Sequence, residues 1–216
     1  MHGAWLFVGL VAAGAVMAGV GAAGEAPPAA EESATGGRPV MTALPPAASG
    51  RQPPSPRALV DARSELQRRY RELLFRSGTS AGADRAAETF LEAAAAEPDR
   101  ALKWLLLAEA RRLGTATGNA AAISRAVTLA SATYDFDALD LEYRALAEIP
   151  LRGVSPSRAG AVAEAAEGVA TRAEIDRRRD LALAAQDLAI KAWQRAGAKE
   201  ACRRAMVRHG EIAAAP

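Results

Sequence analysis

Residues 99–133 read DRALKWLLLAEARRLGTATGNAAAISRAVTLASAT. Leu102, Trp104, Leu105, Leu106, Leu107 and Leu113 crowd most sides of a helix expected over 99–113. Apolar residues on most sides mean a central, buried helix. Asp99 follows Pro98 and can accept the first free backbone N–H groups as an N-cap. Gly114 and Gly118 are expected to end this helix, and Asn119 to cap the next, over 119–133. The second helix packs through Ile123, Ala126, Val127, Leu129 and Ala130. Two helices joined by a short glycine-containing turn make a hairpin.

The pattern repeats on both sides. A helix over 57–76 carries Leu59, Ala62, Leu66, Tyr70, Leu73 and Leu74 at helical spacing. Ser77-Gly78-Thr79-Ser80 stops it, and a helix over 81–96 follows with Phe90 and Leu91 as anchors. Downstream, Asp137 caps a helix over 137–148 with Leu139, Leu141 and Leu146 inside. Ser155-Pro156 starts a sixth helix that runs to 171 with Val162, Val169 and many alanines. A turn is expected at 173–176. The seventh helix then reaches 196 with Leu181, Leu183, Leu188, Ile190, Ala192 and Trp193, and Gly197 separates it from an eighth over 198–213 carrying Cys202, Met206 and Ile212. The hairpins start near 57, 99, 137 and 175, a recurrence near 40 residues. Each such unit is too small to bury its own apolar face, so neighbours must stack. The expected fold is all-α: a short superhelical stack of about four helix–turn–helix hairpins over 57–213, after an N-terminal apolar segment and a disordered Pro-rich linker.

Composition supports this class. Half of the 216 residues are hydrophobic, but 56 are alanine, so the core must be lined by small side chains. Few β-branched and aromatic residues argue against sheets. One cysteine cannot build a disulfide framework or a thiolate zinc site. A net charge of +2 gives no strong pull toward nucleic acid.

The first 24 residues read as a signal peptide or membrane anchor. Ala4 to Ala23 carries no charge, and a helix of that length rises about 30 Å, enough to cross a bilayer. Small residues at Val20-Gly21-Ala22-Ala23-Gly24 offer cleavage after residues 22–24. The competing reading is an uncleaved anchor diluted by Gly9, Gly14, Gly19 and Gly21. Either places the folded part outside the cytoplasm: periplasmic, extracellular or membrane-anchored. Residues 25–56 hold eight of the twelve prolines and few large apolar side chains, the composition of an extended disordered linker.

Trp104-x-x-Leu107-Ala108, the loop at Gly118-Asn119, then Ala122, Ala126 and Ala130 resemble a tetratricopeptide repeat. The run from Leu105 to Asn119, followed by Tyr134 to Leu139, is similar to the exported, alanine-rich helical-hairpin proteins of GC-rich bacteria. The chain departs from the tetratricopeptide pattern where Ala108 stands for glycine and Arg111 for tyrosine, and no proline closes the unit near Tyr134. The resemblance implies a scaffold for protein–protein interaction and brings no catalytic residues.

Motifs for chemistry are sparse. No Gly-x-Ser-x-Gly, phosphate loop or dinucleotide fingerprint occurs, and no cofactor is expected. Cys202 and His209 lie two helical turns apart, about 10 Å along the axis, too far for a nucleophile and its base. Cys202 reads as a small core residue. Asp135, Asp137 and Asp140 lack the glycine turn and distal glutamate of a calcium loop, so capping explains them. No metal site is expected. The expected function is a non-enzymatic exported scaffold in the cell envelope. It would bind a protein or peptide on the face formed by the first helix of each hairpin, with Arg111, Arg112 and Arg144 as contacts. The alternative is a membrane-anchored structural protein touching anionic polymer or lipid. Residues 151–216 carry twelve basic against eight acidic side chains, and Arg177, Arg178, Arg179, Arg203, Arg204 and Arg208 would make that contact. An enzyme of unrecognised type is the third reading, and it requires a pocket with a perturbed carboxylate.

Overall fold

The computed structural model of the chain describes residues 51–215. The apolar run of residues 4–23, with its choice between signal and anchor, and most of the expected linker lie outside the described residues. Eight α-helices make up the described part: α1 Pro56–Arg76, α2 Ser80–Ala96, α3 Arg100–Thr117, α4 Ala120–Thr133, α5 Ala138–Ala147, α6 Pro156–Ile175, α7 Arg179–Ala196 and α8 Lys199–Ala214. One 3-10 turn, Leu151–Gly153, lies between α5 and α6, and no strand occurs among the described residues. None of these helices is long and apolar enough to cross a membrane.

Side-chain capping fixes most of the helix starts. Asp99 accepts from the Leu102 N–H at 2.8 Å, Asn119 from Ala122 at 3.1 Å, Asp137 from Asp140 at 3.0 Å and Ser155 from Arg158 at 3.3 Å. Each satisfies a backbone donor that the first helical turn leaves free. Ser55 and Thr79 do the same for α1 and α2.

Two boundaries depart from the sequence reading. Helix α3 does not end at Gly114 but runs on to Thr117, and Gly118 closes it at φ 73. Gly114 instead makes room for α4: a Cβ there would stand 3.0 Å from both the Asn119 carbonyl oxygen and Ile123 Cγ1. Helix α6 continues past 171 to Ile175, and the turn falls at 176–178. Arg177 takes the left-handed conformation there, at φ 57, in the role a glycine usually fills. With neither glycine nor proline at the break, the helical pattern runs through it. Met206, expected among the apolar residues of the last helix, is exposed, because Ala201, Cys202, Ala205 and Ile212 form the buried face of α8.

The core is in two parts. Around α3, the side chains of Leu66, Phe90, Leu91, Leu102, Leu106, Leu113 and Tyr134 pack together. Around α6 and α7, Ile123, Leu139, Leu146, Val162, Val169, Leu188 and Ile212 form the second cluster. Helix α4 serves both: Ala122, Ala126 and Ala130 face the first, Ala120 and Ile123 the second. The most extensive helix–helix contact joins α6 to α7, and the next joins α2 to α3.

The α6–α7 contact is built from alanine. Ala159, Ala163, Ala166, Ala170 and Ala173 recur on α6 at alternating steps of four and three, as do Ala182, Ala185, Ala189 and Ala192 on α7. All nine are buried. Steps averaging 3.5 keep one stripe facing one partner along both helices. Small side chains let the axes approach toward the short end of the usual 8–10 Å range. A larger side chain has nowhere to go, so Ala166→Leu should destabilise the fold by about 1–3 kcal/mol. Chemical denaturation measures this, and exposed Ala161→Leu is the control expected to change little.

Candidate functional site

The C-terminal half of α4 sets one wall of a cleft, and the loop after it braces the facing Trp104. Tyr134 is buried, and its hydroxyl donates to the Arg100 carbonyl. Burial pushes the Tyr134 hydroxyl up from its ordinary value. Trp104 meets the Tyr134 ring edge-on at 4.9 Å and Phe136 at 5.7 Å, a geometry aromatic rings favour. Two aromatic rings therefore hold Trp104 in position. The cleft opens between α3, α4 and α5. Trp104, Leu107, Ala108 and Arg111 line it from α3, Ala126, Val127 and Ala130 from α4, and Leu141 from α5.

Arg111 is the one charged side chain in this lining. It is half-buried, and it makes no hydrogen bond or ion pair with the described residues. Burial lowers its pKa, and the charge of Glu148 acts in the opposite direction. A guanidinium partly removed from water without a carboxylate in contact is costly, and an incoming anion would relieve that cost.

The other expected arginines are placed differently. Arg112 pairs with Glu109 at 2.7 Å and Arg144 with Asp140 at 2.8 Å, both within one helix. Arg177, Arg178 and Arg179 share a surface depression with Asp140 and Asp180. Arg178 is bound to Asp137 at 2.7 Å, and Arg179 donates to the Ala213 carbonyl. Arg203 pairs with Glu200, and Arg208 with Glu174 and Glu211. Arg177 and Arg204 are exposed and make no ion pair with the described residues. Cys202 is buried with its sulfur 4.0 Å from the Ile190 carbonyl oxygen, while His209 faces Asp187 at 3.2 Å. Among the described residues no three His, Cys, Asp or Glu side chains are grouped to hold a metal ion.

Sequence reasoning missed the polar ties between helices. Asp84 on α2 accepts from Thr117 at 2.8 Å, from Asn119 at 3.4 Å and from both terminal nitrogens of Arg158 on α6. Arg158 also donates to the Thr117 carbonyl at 2.5 Å. Buried Glu142 on α5 accepts from Ser124 at 2.6 Å and from Arg172 at 2.8 Å. Gln186 of α7 donates to the Ala205 carbonyl at 3.0 Å. Arg195 of α7 reaches the carbonyls of Leu151 at 2.9 Å and Val154 at 2.7 Å, which ties down the 3-10 turn. Asp84 and Arg158 are 74 positions apart, so no local pattern announces them. No family model, curated protein or solved structure matches the chain.

Burial by itself pushes the Asp84 carboxyl up. The donors Arg158, Thr117 and Asn119, with the Arg158 charge, outweigh this and hold it below its ordinary value. A carboxyl depressed by folding stabilises the fold fully above its unfolded pKa, about 3.9, and that contribution is lost as pH falls through the folded pKa. Asp84→Asn should therefore cost about 1–2 kcal/mol near neutral pH. In urea melts at a series of pH values, the difference from the parent should shrink as pH drops below about 4. A difference that stays constant into strong acid would contradict the charged network.

Proposed function

We propose that the chain is an exported, non-enzymatic scaffold, a tetratricopeptide-like stack of four hairpins that binds a protein or peptide in the cell envelope. The cleft between α3, α4 and α5 carries this reading. It joins an aromatic ring held in place by its neighbours, an apolar floor and one half-buried guanidinium with no carboxylate in contact among the described residues. Such a surface suits a partner segment that lays an apolar side chain over Trp104 and offers a carboxylate to Arg111. Buried tryptophan and arginine contacts are the types that dominate binding energy in protein interfaces. In the proposed stack, α1–α2, α3–α4, α5–α6 and α7–α8 are the units. The extensive α2–α3 and α6–α7 contacts then join one unit to the next. The alternative contact with anionic polymer through the C-terminal helices has less to draw on, because Arg178, Arg203 and Arg208 already hold carboxylates.

Cross-linked capture of the tagged full-length chain from its own host, followed by mass spectrometry, tests the proposal. The expected result is a stoichiometric protein prey whose recovery falls about tenfold or more with Arg111→Glu or Trp104→Ala. Recovery of glycan or lipid without protein would overturn it, as would a prey indifferent to both substitutions.

A further inference from the structure

Helix α1 has a second face that the fold leaves uncovered. Ala62 and Leu66 are buried, and Leu59, Tyr70, Leu73 and Leu74 pack against the first core. On the opposite side Arg57, Val60, Ser64, Arg68, Arg71 and Phe75 follow one another at steps of three and four, and all six are exposed. Such steps make one stripe along a regular helix, and α1 is kinked at Tyr70 (φ -117, ψ 21), between Arg68 and Arg71. Val60 is 62% exposed and Phe75 87%. The stripe holds three guanidiniums, and exposed Asp61, four residues after Arg57 and three before Ser64, is a carboxylate on the same side. Glu65 and Glu72 fall on its flank, where Glu65 holds Arg68 and Arg69, and Glu72 holds Arg76. Arg57 and Arg71 make no ion pair with the described residues.

We infer that this face of α1 lies on an anionic lipid surface. The argument is chemical. A phosphate layer over hydrocarbon accepts the guanidiniums of Arg57 and Arg71 and the apolar side chains from the same stripe, which is how interfacial helices bind. A soluble polyanion would satisfy the arginines and leave Phe75 and Val60 in water. A protein groove would be expected to supply carboxylates and a large apolar wall, and a stripe with single apolar residues near its two ends offers little to fill one. The same chain carries the uncharged run of residues 4–23 upstream of α1, a length able to enter a bilayer. The surface is remote in role from the α3–α5 cleft and is independent of what that cleft binds.

The test uses the full chain with a polarity-sensitive dye at Ser64→Cys, in a Cys202→Ala background, and a control dye at exposed Thr128→Cys on α4. Vesicles of phosphatidylglycerol, with bromine-labelled acyl chains as quencher, are compared with vesicles of phosphatidylcholine. The expected result is a blue shift and quenching at position 64 with phosphatidylglycerol only, and no change at position 128. Arg57→Gln and Arg71→Gln should each weaken the apparent partition about fivefold, and Phe75→Ser should reduce the quenching. The same signal at 64 in both lipids, or no quenching in either, would overturn the proposal. So would dextran sulfate reproducing the shift with Phe75→Ser without effect, which would assign the stripe to a soluble polyanion.

Discussion

The close approach of α6 and α7 is the constraint on which the second half of the structure depends. Nine buried alanines at heptad-like steps leave no side-chain bulk between the two helices. A pair packed this way gains little from any one side chain, since burying an alanine methyl contributes less than 1 kcal/mol. It gains instead from many atoms at contact distance and from a small loss of side-chain entropy. The large residues are therefore spent elsewhere. Val162, Val169, Leu139 and Leu146 fill the space between this pair and its neighbours, and Trp193 covers one edge while donating to Glu167 at 2.9 Å.

Thin apolar packing leaves orientation to polar contacts that span several helices. The Asp84–Arg158 pair reaches from α2 to α6 and collects the end of α3 and the cap of α4 on the way. Glu142 links α4, α5 and α6 in the same manner. Their carboxylates each accept more than one donor, the condition under which a partly buried charge is not a liability. Arg111 stands out against this background as a half-buried charge that no carboxylate contacts.

Much of the helical order is legible in the chain because its causes are local. Asp99, Asn119, Asp137 and Ser155 announce their helices by residue type, and each does cap. Gly114 was misleading because one residue type serves two ends: it frees the backbone at a turn, and it frees space where another helix crosses. The turn at Arg177 carries no marker, since an arginine there adopts a conformation that glycine would advertise. The candidate site was legible by half. Arg111 stands out in the chain as a contact, while Trp104 reads there as part of a buried helix. The isolation of Arg111, the pairing of Arg112 and Arg144, and the Asp84 network depend on neighbours tens of positions away, which periodicity does not reveal.

Native-state hydrogen exchange of the full chain tests the central role of the alanine contact most directly. If α6 and α7 are held as one closely packed pair, the amides of Ala163, Ala166, Ala170, Ala185 and Ala189 should exchange together. They should also exchange only at the free energy of global unfolding. Exchange of these amides through local opening, as fast as those at the ends of α1 and α8, would contradict it.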